Sequence, residues 1–191
     1  MQHNRRPSRR RENTIGIILF PIVLLLFSFT FLVFNTTFTD YLLNEEAEEP
    51  THQLLKYFQN RAEMPEIFTE GEQSHLQDVK TIVWSAIISF FILVIALTYC
   101  IYKGNRYIML KRGSILLIAI ILLAIIIPFD FLFKIFHKIV FPQGNYIFPP
   151  DSTLIQFYPN DFFATYAISI AILSLIIAAT LYLAEIVSRR G

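Results

Sequence analysis

Residues 81–102 read TIVWSAIISFFILVIALTYCIY, twenty-two positions without one Asp, Glu, Lys or Arg. A bilayer's hydrocarbon core is about 30 Å thick and takes roughly 20 apolar helical residues to cross. Three other stretches match this one in length and character: 14–34, 114–133 and 162–187. All four are rich in Ile, Leu, Phe and Ala, and none alternates apolar with polar as a barrel strand does. With 54% hydrophobic residues and a mean hydropathy of +0.51, the chain is too apolar for an ordinary soluble domain. The expected fold class is an all-α membrane protein: four transmembrane helices in a single domain over 1–191, with a small extracytoplasmic cap made by outer loops 35–80 and 134–161.

Charge distribution sets the expected orientation. Arg5, Arg6, Arg9, Arg10 and Arg11 precede the first span. Lys103, Arg106, Lys111 and Arg112 fill the link between the second and third, and Arg189 and Arg190 follow the fourth. Eleven of the sixteen basic residues therefore fall on one side. The positive-inside rule makes that side cytoplasmic, together with both termini. Residues 1–13 read as a disordered basic tail, and the first span as a retained signal anchor rather than a cleaved leader, since its apolar run is too long. The single cysteine, Cys100, permits no intramolecular disulfide and reads as a small buried apolar side chain. Nothing in the charge pattern suggests nucleic acid.

Local signals organise the loops. The acidic run 44–49 reads as solvated loop, and Thr51–Arg61 as a short amphipathic surface helix. Thr69 with Glu72 fits a capping box, which starts a helix at about Glu70 that runs into the second span. Pro128 is expected to bend the third span, and Pro159-Asn160-Asp161 to open the fourth.

Four histidines occur. His3 and His52 read as incidental. His75 and His137 flank the second and third spans on the outer side. His75 lies 32 residues before Tyr107, at the centre of the short link, and His137 lies 30 after it. At about 1.5 Å rise per residue the two imidazoles reach nearly the same depth on antiparallel neighbours. Asp78 is three residues from His75. Asp130 is seven from His137, with Lys134 one turn beyond Asp130 and poised to pair with it. Ionisable groups at the edge of hydrocarbon are costly and mark candidate sites. The residues alone leave three readings open: a histidine acid–base pair; a metal-dependent hydrolase built on His75, Asp78 and His137; and a non-catalytic four-helix adaptor. There is no His-Glu-x-x-His motif, no Gly-rich phosphate loop and no Gly-x-Ser-x-Gly elbow.

Gln73-Ser74-His75-Leu76-Gln77-Asp78-Val79-Lys80 resembles a signature of a four-helix bacterial membrane family that includes the lipoprotein intramolecular transacylases. So does the stretch holding Phe129-Asp130, Phe136-His137, Phe141-Pro142, Leu154-Ile155, Pro159 and Phe162-Phe163. The resemblance implies a catalytic pair, His75 and His137. The residues suit that role: the histidines as base and acid, Asp78 and Asp130 fixing tautomers or simply capping and pairing, and Lys134 stabilising an oxyanion. The resemblance also implies an acyltransferase of the plasma membrane whose site faces the outer leaflet. Its partners would be the diacylated N-terminus of a lipoprotein and membrane lipid. An acyl chain would pass from the diacylglyceryl group to the lipoprotein's own N-terminal cysteine amine, giving a lyso-form product. Ester to amide is downhill, so no ATP or acyl-CoA is expected; no metal or other cofactor is expected either. A monomer is expected.

Overall fold

The computed structural model describes residues 5–190, with side chains from Arg9 onward. Among the described residues there are eight helices and no strand: α1 (Arg5–Val33), α2 (Thr36–Leu42), α3 (Glu45–Phe58), α4 (Glu70–Lys103), α5 (Arg106–Ile126), α6 (Phe129–Val140), α7 (Thr153–Phe157) and α8 (Asn160–Ser188). Four of them, α1, α4, α5 and α8, are long and apolar enough to cross a membrane. The 21 residues of α5 reach about 31 Å, one hydrocarbon thickness.

The chain forms two compact units. The first comprises residues 5–29, 87–126 and 169–190 of the described chain. Its core is Phe20, Val23, Leu24, Leu97, Leu110, Leu117 and Ala178. Gly113 allows this packing, because a Cβ there would stand 2.7 Å from Phe20 Cδ1. Two fully buried hydroxyls satisfy each other: Ser174 donates to Ser28 Oγ at 2.9 Å and lies 3.2 Å from the Leu24 carbonyl. At one end of this unit Glu185 pairs with Arg106 and, at 2.7 Å, with Arg189. Asn13 Oδ1 accepts the Asn105 amide at 2.7 Å.

The second unit comprises 30–86 and 127–168. Its core is Ala47, Leu54, Leu55, Phe58, Phe68, Leu76, Leu154, Phe157 and Tyr158. Polar side chains inside it are matched across elements. Thr51 meets the Tyr158 hydroxyl at 2.7 Å, and Trp84 donates to the Phe58 carbonyl at 2.8 Å. The capping box at the start of α4 forms as the sequence predicts. Glu72 Oε2 accepts from Thr69 N at 2.8 Å and Thr69 Oγ1 at 2.9 Å, while Glu72 N reaches Thr69 Oγ1 at 3.4 Å. The other carboxylate oxygen, Oε1, accepts the amide of Leu154 at 2.7 Å.

Several sequence expectations are corrected. The acidic run is not loop: Asn44 caps Ala47 N, and Glu45, Glu46 and Glu48 occupy the first turn of α3, where carboxylates meet the positive end of the helix dipole. The amphipathic helix therefore starts six residues earlier than read. Asn35 caps an additional helix, α2. The basic tail is helical from Arg5, while residues 1–4 lie outside the described residues. The third span does not bend through Pro128; it ends at Ile126, and a separate helix begins at Phe129. Proline lacks an N–H to donate and disfavours helix in the residue before it, so Pro128, at φ −53° and ψ 133°, opens α6 instead.

Candidate active site

The site residues described below lie in the second unit. The capping box fixes where α4 starts, and His75 follows Glu72 by three residues, on the same face. That face is packed: Glu72, His75 and Leu76 are all buried, His75 being 5% exposed. His75 Nδ1 is buried with no hydrogen-bond partner. His137 stands in the last turn of α6, half-buried. Its Nδ1 lies 2.8 Å from the Phe133 carbonyl. A carbonyl only accepts, so Nδ1 carries the proton and the neutral ring leaves Nε2 as a free base. Burial holds the His137 pKa below its ordinary 6.5, against the smaller opposing effect of that hydrogen bond.

The two imidazoles come together, ring centroids 6.2 Å apart and planes inclined by 25°. Phe141, 2% exposed, touches both, at 4.5 Å from His75 and 5.5 Å from His137. Phe133 at 4.1 Å and Tyr146 at 5.3 Å complete the wall around His137, and Phe148 at 5.6 Å stands against His75. The result is an aromatic cluster with two titratable rings and one defined free base. Among the described residues no three His, Cys, Asp or Glu side chains converge in a way that could hold a metal ion.

Residues 13–163 match the family of lipoprotein intramolecular transacylases, Lit. The chain belongs to the Lit family. It is thus a multi-pass, membrane-integral acyltransferase. Solved structures agree at the level of the fold. A structure of Lit from Bacillus cereus superposes with a TM-score of 0.77 at 20% identity, covering 96% of this chain and 98% of that one. Two structures of the same Lit, one histidine replaced by arginine in the first and by alanine in the second, give 0.74 at 20% identity over 96% of this chain and 94% and 96% of theirs. A comparison with curated proteins gives no match.

The remaining site residues fall in different places. Asp78 makes no hydrogen bond to His75 among the described contacts. It accepts from Gln143 Nε2 at 2.8 Å and Asn145 Nδ2 at 2.6 Å, tying the loop after α6 to α4. Asp130 and Lys134 do not pair: the ion pairs among the described residues are His52–Asp40, Arg106–Glu185 and Arg189–Glu185. Both side chains are exposed, where an ion pair gains little, and Asp130 instead takes a long hydrogen bond, 3.3 Å, from Asn160. His52 meets Asp40 at 2.7 Å, away from the histidine pair, and His3 lies outside the described residues. Sequence reading missed Phe141 as the ring touching both histidines and Gln143 and Asn145 as partners of Asp78. Polar residues in a Pro- and Gly-containing loop look like solvated loop until the partner 65 or 67 positions away is known.

Proposed function

We propose that this Lit family member moves an ester-linked acyl chain from the glycerol of a diacylated lipoprotein to that lipoprotein's own N-terminal α-amine, and that His75 and His137 carry the proton. The observation that supports the assignment most is the geometry of the pair: two imidazoles 6.2 Å apart in an aromatic cluster, with the His137 Nδ1 proton engaged by Phe133 and Nε2 free.

The amine, with a pKa near 8, attacks only when neutral. Its nitrogen bonds to the ester carbonyl carbon, the bond from that carbon to the glycerol oxygen breaks, and one proton passes from nitrogen to oxygen. His137 Nε2 takes that proton, and the imidazolium returns it to the departing oxygen. His75, neutral beside it, hydrogen-bonds the same oxygen as charge develops. No other reactant enters, since donor and acceptor are parts of one molecule and the protein's task is to hold them in attack geometry. Asp78 acts at a distance, holding the loop that carries Tyr146 and Phe148 against the rings. Both termini lie in the cytoplasm, and the site faces the outer leaflet; the basic-residue distribution supports this orientation.

Incubation with a synthetic diacylated lipopeptide as sole substrate tests the reading. The product keeps the mass of the substrate and carries its new acyl group on the amine. Prior acetylation of that amine stops the reaction, and a chelator does not. Release of free fatty acid with loss of one chain from the lipopeptide would show a hydrolase and end the transacylase reading.

A further inference from the structure

None of the twelve residues of α6 is fully buried. At about 100° per residue, Lys134, Lys138, Phe131, Ile135 and Ile139 share one arc of roughly 140°, with His137 and Phe133 on the other side. The apolar members of that arc stand open, Phe131 at 56%, Ile135 at 39% and Ile139 at 72%. Both lysines are exposed, and neither takes part in an ion pair among the described residues. The one acid of α6, Asp130, falls outside the arc and is bonded to Asn160. Only Ile127 and Pro128 separate the helix from Ile126, so in sequence α6 directly follows a helix long and apolar enough to cross a membrane.

An apolar strip edged with lysines suits the boundary between acyl chains and headgroups. The lysine stems lie along the chains and the ammonium groups reach the headgroup plane. Two cations without a matching acid favour a lipid of net negative charge over a zwitterionic one, whose own amine cancels the phosphate. We propose that α6 is an interfacial helix that holds an anionic phospholipid, with its phosphate on Lys134 and Lys138 and its chains against Phe131, Ile135 and Ile139. The lipid then lies on the reverse side of the helix that presents His137. Lys134 thereby has a partner other than a developing oxyanion. The inference does not rest on the acyl-transfer reading.

Photolabelling of the reconstituted full-length protein tests it. Phosphatidylglycerol and phosphatidylcholine probes, each with a diazirine early in one acyl chain, are compared by the labelling of the peptide that holds α6. Attraction to anionic lipid is expected to favour phosphatidylglycerol by about five-fold per lysine. K134Q/K138Q should bring the two probes to near parity while leaving phosphatidylcholine labelling unchanged, which also reports that the helix is in place. K111Q/R112Q, the same loss of charge in α5, should keep the wild-type preference. Equal labelling of the wild-type helix by both probes overturns the proposal. So does a preference that survives in K134Q/K138Q, or one that K111Q/R112Q abolishes equally.

Discussion

At His137 one ring nitrogen is committed to a carbonyl and the other is free, and burial favours the neutral ring. The pH dependence follows. As pH falls, the substrate amine protonates first, near 8, and the rate declines with unit slope. His137 protonates only below 6.5, so a second unit of slope should appear there and not before. A rate–pH profile that is already second order in protons above 6.5 would contradict the depressed basicity. His75→Asn and His137→Asn should each lower the rate by about 10²–10⁴-fold, and the double variant should be scarcely slower than either single one, because they serve one proton transfer. Single-turnover rates with the diacylated lipopeptide measure all three. Additive losses would mean two independent roles.

Elements hold these residues in place through a few polar ties. Glu72 is fully buried and takes three hydrogen bonds, from Thr69 N, Thr69 Oγ1 and Leu154 N. Glu72→Ala orphans the buried Leu154 N–H and frees the part-buried Thr69 N–H, and should cost roughly 1–3 kcal/mol, seen as a lower melting temperature. Asp78→Ala releases Gln143 and Asn145 nearer the surface. About 1–2 kcal/mol is expected there, with faster proteolysis of the 142–151 loop and a reduced turnover. Unchanged turnover in a folded Asp78→Ala protein would remove the loop from the mechanism. The capping box was legible in sequence because Thr69 and Glu72 are three residues apart. The meeting of His75 and His137 was expected from helical rise along an unbroken third span; the rings do come together, but His137 stands on a separate helix, so the rise alone does not explain it. The break after Ile126 was half legible. Pro128 signals a disturbed helix, yet whether the chain bends or restarts depends on what the next turns pack against. The start of α3 was misread because acids beside an N-cap look the same as a solvated acidic run until the helix they stabilise is seen. Phe141 stood out only as part of the family resemblance; nothing in its own spacing marked it as the ring between the histidines, since nineteen phenylalanines in one apolar chain look alike.

Across the whole molecule, two predictions concern the membrane and the packing within it. Asp151→Cys, exposed in the segment before α7, should react with an impermeant thiol reagent in intact cells, whereas Lys111→Cys, exposed on α5, should react only after permeabilisation. The reverse pattern would invert the orientation. Gly113→Leu should be poorly tolerated in the first unit, because even a Cβ meets Phe20 at 2.7 Å; a cost of about 1–3 kcal/mol is expected in detergent melts. The bond from Leu154 N to Glu72 also bears on how the chain is made. Its ends are 82 residues apart. At about 5–20 residues per second, a ribosome needs roughly 4–16 s to cover that interval. Throughout that time the nascent chain holds a helix start whose carboxylate lacks one of its three hydrogen-bond donors. A chain released before residue 154 keeps that defect permanently, at the same place where His75 stands next to it. Forms terminated before residue 154 are therefore expected to be less stable than the full chain, which their lifetimes in a pulse–chase experiment would measure.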